Sequence, residues 1–373
     1  MAVDERAVKV AKIVVDYSVD IQKGDILLIQ TEKEFKEFAE VIEKFAKEKG
    51  AEVIYRYRDL AERKALIERN DMKELKKEAK EYLDIANKIT AKVSVDATTD
   101  PYYLKGVEPK KIVDYNTTVI KPVQDIICGD GKKHKGKKWN CVGYPCEADA
   151  KNANMSIEEY SNILYESSLV EWEKEKEQMK KVKAIFDNAE EIHIISPGLT
   201  DIRFSLKGRG GQLCCGEYNI PDGELMYGPV EDSANGYITF SYPAIRDGQK
   251  VDGIKLMFKE GNVTSFSAEE NQEFLAAMMD LDGSKRIGEF ALGFNYKIPK
   301  VMNNLIFDEK IGGTFHLAMG ESYAEPLDNG GGLNEAEIHW DLVCDLRKAN
   351  GLPGGEIYVD GKLVQKDGKW LID

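Results

Sequence analysis

The sequence predicts an α/β protein in two parts: an N-terminal α/β domain with a parallel sheet, followed by a mixed α+β C-terminal domain. Three observations carry this expectation. Roughly the first hundred residues alternate helical and strand-type segments joined by short links. A charged helical stretch runs from Ser156 to about Asn188. From Ile192 onward the texture changes to short β-type runs punctuated by Gly-containing turns. The boundary is placed near Glu190, giving domains 1–190 and 191–373.

The elements follow in order. Ala7, Val10, Ala11 and Val14 recur at helical spacing within Asp4–Ser18. Asp25–Gln30 (D-I-L-L-I-Q) is a short apolar run after a Lys-Gly turn and reads as a buried strand. Thr31 is the expected cap of a helix whose buried face carries Phe35, Phe38, Ile42 and Phe45, and Gly50 ends it. Ala51–Tyr57 is rich in β-formers, so strand, helix and strand make a βαβ unit and a parallel pair. A further strand fits Ala91–Ala97. Neither G-x-G-x-x-G nor G-x-x-x-x-G-K-[ST] occurs, so the usual phosphate cradles are missing.

Ser156 and Glu159 form a capping box, and Ser267 with Glu270 forms a second one expected to open a helix through Met279. K-E-G-N and Asp360-Gly361 read as hairpin turns. The basic loop Gly131–Lys138, which holds His134, is read as a solvated tip, and His193 as a structural histidine in an alternating strand.

Composition narrows the function. The chain has 373 residues with a formal charge of −14, 42% hydrophobic and 32% charged. That balance fits a globular protein and argues against nucleic acid or an anionic membrane as partner. No run approaches the ~18–20 apolar residues of a membrane span, and the charged N-terminus is no secretory signal. The six cysteines (128, 141, 146, 214, 215, 344) contain no C-x-x-C pair and read as reduced thiols of a cytoplasmic protein. A zinc site from Cys128, Cys141 and Cys146 is the alternative.

Only four histidines occur, and one sits in Glu337-Ile338-His339-Trp340-Asp341. On a strand, His339 and Asp341 point to the same face and can either pair or share a cation. Three more stretches join turn residues to a ligand-type side chain: N-I-P-D-G-E (Glu224), I-G-E-F-A-L-G-F-N (Glu289) and G-G-T-F-H-L-A-M-G-E-S-Y (His316, Tyr323). Unpartnered charge is costly in such apolar surroundings, and a buried divalent cation would relieve it. Mixed carboxylate and imidazole ligation suits Zn, Co, Mn or Fe(II). The alternative from chemistry alone is a set of buried, hydrogen-bonded polar residues and helix caps, with Asp222 completing a turn.

These four motifs, in this order over about Leu199–Leu346, resemble the M29 metallopeptidases, the family of thermophilic aminopeptidases T and S. The resemblance implies two divalent ions (Zn, Co, Mn or Mg) held by Glu224, Glu289, His316, His339 and Asp341, with Tyr323 at the site as a catalytic residue. It also implies a metal-bridged water or hydroxide that releases N-terminal residues from peptides with a free amine, and a homodimer. Glu321, or a ligand carboxylate, is the candidate general base. The segment L-C-C-G-E-Y departs from the family's pattern and brings Cys214 and Cys215 near the site. The competing readings are a non-catalytic metal-binding scaffold and a dinuclear hydrolase of another amide or ester.

Overall fold

The computed structural model describes residues 3–349 and 351–372. They divide into two compact units: one runs to Val170 and regains Gly216–Asp222, the other comprises Glu171–Cys215 and the chain from Gly223.

In the first unit a five-stranded parallel sheet runs in the order Glu52–Tyr57, Ile26–Thr31, Ala91–Asp96, Lys138–Gly143, Asn219–Ile220. Leu27, Leu28 and Ile29 are all buried, because a parallel strand covered by helices on both faces shows apolar side chains to each. Asp4 caps the first helix, Glu5–Ile13, by accepting from Arg6 N–H, and the chain continues as a wider turn through Ser18. Thr31 does not cap the next helix. It closes its strand, and a 3-10 turn at Lys33–Phe35 leads into Lys36–Glu48. The Ser156 hydroxyl accepts from Glu159 N–H at 3.1 Å and opens Ile157–Ser168.

The second unit holds two larger antiparallel sheets. An eight-stranded one runs in the order Asn262–Ser267, Lys255–Lys259, Asn235–Thr239, Thr200–Phe204, Ile192–Ser196, Glu356–Val359, Lys362–Lys366, Lys369–Trp370. A five-stranded one runs His339–Asp345, Thr314–Gly320, Ile287–Gly293, Glu224–Tyr227, Gln212–Cys214. Glu260-Gly261 and Asp360-Gly361 turn two hairpins of the larger sheet, all four residues at positive φ, as two-residue turns of matching twist require.

The capping box expected at Ser267 and Glu270 does not form. Ser267 pairs with Lys255 in the ladder, and the helix starts at Gln272 after Asn271, which has a left-handed backbone. The helix Trp172–Phe186 groups with the second unit, so contacts divide the chain at Val170, and Glu190 falls on the link to the strand Ile192–Ser196. Its end is tied there, since the Tyr227 hydroxyl donates to Asp187 at 3.2 Å and Gly211 N–H donates to the same carboxylate at 2.9 Å.

Aromatic side chains join the two sheets. Phe290 of the smaller sheet meets Phe204 of the larger edge-on at 4.8 Å, and Phe315 lies 6.2 Å from Phe290. Leu225, Tyr227, Leu292, Leu317 and Leu342 extend this apolar layer. Every one of these residues is an odd step from the charged positions on its own strand, so the smaller sheet gives one face to the core and the other to chemistry.

Candidate metal centre

Register decides which side chains meet. On the smaller sheet Gly293 pairs with Glu224, Ala291 with both Met226 and His316, Ala318 with both Glu289 and Asp341, and Gly320 with His339. Residues directly opposite share a face, so Glu224, Glu289, His316, His339 and Asp341 all stand on the side away from Phe290 and Phe315. Their cross-strand neighbours are Gly or Ala, apart from Cys214 opposite Glu224 and Val343 opposite His316. Small neighbours let the long side chains lean together. At Gly293 a Cβ would strike the carbonyl of Ile311, and at Gly320, where φ is +103°, it would strike that of Ile338.

The five side chains converge. His316 Nε2 lies 3.0 Å from Glu289 Oε1, 3.6 Å from Glu224 Oε2 and 3.8 Å from Asp341 Oδ1. His339 Nε2 lies 3.2 Å from Asp341 Oδ1 and 3.9 Å from Glu289 Oε2. Each imidazole is aimed by its other nitrogen: Nδ1–H of His316 donates to the Glu309 carbonyl at 3.2 Å, and Nδ1–H of His339 to the Glu321 carbonyl at 2.7 Å. This fixes the tautomer that turns the Nε2 lone pair toward the carboxylates, the arrangement usual for metal-ligating histidines.

Two buried carboxylate oxygens, Glu224 Oε2 and Glu289 Oε2, have no hydrogen-bond partner. A buried, unsatisfied carboxylate oxygen is costly, and a cation removes the cost. Three overlapping groups have donor atoms within 4.8 Å of one another: Glu224, Glu289 and His316; Glu289, His339 and Asp341; and Glu309, His316 and Asp341. The donors are oxygen and imidazole nitrogen with no thiolate, which fits a hard or borderline divalent ion.

Without a cation, protons on the two imidazoles take its place beside the carboxylates. Burial alone would lower the His316 pKa, but the bond to Glu289 and the charges of Glu224 and Asp341 outweigh it and raise it to about 9. At His339 burial is likewise overcome, chiefly by Asp341, and the value rises to about 10. Burial pushes Glu289 up. Asp341, also pushed up by burial, is held well below the usual carboxylate range by His339.

Tyr323 stands beside His339, with ring centroids 4.7 Å apart. The Glu321 carboxylate accepts from Ala336 N–H, which gives it a loop-anchoring bond. Cys215 packs its sulfur 3.5 Å from that of Met179, and none of the six cysteines forms a disulfide. His193 bonds Asp201 at 2.9 Å, away from these groups.

Two residues of the site were missed by sequence reasoning. Lys310, only 1% exposed, places Nζ 2.5 Å from Glu224 Oε1 and 2.8 Å from Glu309 Oε1. Burial raises Glu309 to about 8. The available signal was their position, in F-D-E-K one residue before G-G-T-F-H.

Known proteins resemble this chain over nearly its whole length. A family model described as thermophilic metalloprotease (M29) matches residues 3–370. Aminopeptidase 2 of Geobacillus stearothermophilus is 27% identical, over 97% of this chain and 94% of its own. Aminopeptidase PepS of Streptococcus thermophilus is 25% identical, over 99% and 98%. The solved structure of wild-type AmpT from Thermus thermophilus superposes with a TM-score of 0.78 at 20% identity, covering 99% of both chains, so the fold is shared. With its model matching nearly the whole length, this chain belongs to the M29 family of metalloproteases.

Proposed function

We propose that this metallo-aminopeptidase removes N-terminal residues from peptides at a two-ion centre that Glu224, Glu289, His316, His339 and Asp341 would hold. The observation that carries the reading is the pair of buried, partnerless carboxylate oxygens facing two imidazole nitrogens aimed by backbone carbonyls. Glu289 and Asp341 each belong to two of the three donor groups, so either carboxylate could serve two ions. When bound, divalent ions supply Lewis acidity that lowers the pKa of water toward ~7 and polarises a carbonyl.

The protein's own groups do the rest. Backbone carbonyls of Glu309 and Glu321 lock the two imidazoles, so the centre needs no reorganisation as charge develops. Tyr323, beside His339, offers a hydroxyl to the developing oxyanion. Glu309, whose carboxylate is grouped with His316 and Asp341, is the carboxylate placed to accept the water proton. The acidic surroundings favour the α-ammonium of a free peptide N-terminus over a neutral blocked end. A homodimer, on the resemblance alone, and a cytoplasmic location, on the reading of the cysteines as reduced thiols, complete the reading.

The test is a pair of peptides differing only by N-terminal acetylation, assayed with metal added and with a chelator. Release of free amino acids from the unblocked peptide alone, abolished by chelation, is expected. Equal cleavage of both peptides would remove the exopeptidase assignment. Stoichiometric metal binding with no turnover would favour a scaffold.

A further inference from the structure

A lysine that is 1% exposed beside a candidate metal centre is unusual, since both it and a metal ion seek the same carboxylates. Its two ammonium contacts divide the site's oxygens unequally. Glu224 Oε1 is held by Lys310 at 2.5 Å, while Glu224 Oε2 has no hydrogen-bond partner and faces His316. Glu309 Oε1 is held by the same ammonium at 2.8 Å. Four carboxylates (Glu224, Glu289, Glu309, Asp341) crowd this face, and Lys310 is the fixed positive charge paired with two of them.

We propose that Lys310 is a positioning residue that limits Glu224 to one donor oxygen and supplies a permanent positive charge to the centre. Two consequences follow. Glu224 cannot grip an ion with both oxygens, which leaves a coordination position open for water and the substrate carbonyl, as catalytic centres need. The permanent charge also weakens ion binding below what four carboxylates would give, trading affinity for a more electrophilic centre. This inference rests on the metal-centre reading given under the proposed function.

The test uses Lys310→Met and Lys310→Gln in the full-length protein, with Co²⁺ as probe. Metal affinity is read by chelator competition, and coordination by the visible d–d bands. Lys310→Met loses both charge and donor. Its affinity for Co²⁺ should tighten by about tenfold or more, because a unit charge within a few ångström of a divalent ion is worth more than a factor of ten. Its d–d bands should weaken as Glu224 adds its second oxygen, and turnover should fall. Lys310→Gln keeps a donor near Glu224 but no charge, so its affinity should tighten while its spectrum stays close to wild type. If Lys310→Met does not fold, the Lys310→Gln affinity decides. Affinities within about twofold of wild type in the folded variants, with unchanged spectra, would overturn the proposal. Failure of the wild-type protein itself to bind Co²⁺ would instead overturn the metal-centre reading.

Discussion

Both units of this protein bury carboxylates, and two pairs, one in each unit, are treated oppositely. In the first unit Glu32 follows the strand Ile26–Thr31, and Asp149 lies in the helix Glu147–Asn152. Both are buried and both are satisfied. Glu32 Oε2 accepts from the amide and hydroxyl of Thr99 at 3.0 and 2.7 Å, and Asp149 Oδ2 accepts from the Cys146 thiol at 3.0 Å. In the second unit Glu224 and Glu289 are equally buried, yet each keeps an oxygen without a partner. Burial of an acid therefore does not mark a metal centre. What marks it is the fold's failure to supply its own donors where neighbouring imidazoles are held ready.

The contrast is broken or sharpened most strongly by exchanging the two glutamates for glutamine. Glu289→Gln should lose bound metal and lower kcat/KM by ~10³-fold or more, since Glu289 belongs to two of the three candidate donor groups. Glu32→Gln should leave metal content and turnover intact and cost ~1–3 kcal/mol of stability, because its amide group faces the donors of Thr99. Equal metal loss in both variants would erase the distinction.

The pH dependence of metal affinity comes next in size. His316 and His339 keep their protons to about 9 and about 10 without metal, so an ion must displace them. Affinity should therefore rise with pH, about tenfold per unit for each proton released, and level off above those values. A pH-independent affinity, measured by competition titration from pH 6 to about 9, would remove the imidazoles from the ligand set.

A more modest effect is expected at Ala318, which lies between Glu289 and Asp341 on the charged face. Ala318→Leu should hold the two carboxylates apart and weaken metal binding by ~10–100-fold, with an overpacking cost of ~1–3 kcal/mol.

The smallest effect lies in the first unit. Burial, reinforced by Asp96, raises Asp149 from 3.8 to about 7 in the folded chain. Between those values the folded state holds a proton that the unfolded chain has lost, so this group's contribution to stability declines as pH rises from about 4 to about 7 and stays low above. Asp149→Asn should raise the melting temperature at pH 8 by a few degrees, have little effect near pH 4, and leave metal content unchanged. An equal gain at both pH values would contradict the assignment of the burden to charge.

The parts of the molecule legible in advance are those set by local pattern. The period-two alternation in E-I-H-W-D places His339 and Asp341 on one face, and the structure has them 3.2 Å apart at Nε2 and Oδ1. The parallel sheet follows from helix and strand alternation, and the two hairpins follow from Glu-Gly and Asp-Gly. Register is another matter. Glu224 meets His316 only because Gly293 pairs with Glu224 while Ala291 pairs with both His316 and Met226, a long-range match that no local window contains. Two caps failed for a related reason: Thr31 and Ser267 were drawn into ladders, where strand pairing outweighed a side-chain cap. Lys310 was invisible because lysine is ordinarily a surface residue, and its burial follows from two carboxylates supplied by the fold.

The most direct test of the central claim is anomalous diffraction from crystals of the protein grown with Mn²⁺ or Zn²⁺. Two anomalous peaks flanked by Glu224, Glu289, His316, His339 and Asp341 are expected. A single peak, or peaks lying away from Glu224 and Glu289 with those oxygens still bare, would contradict it.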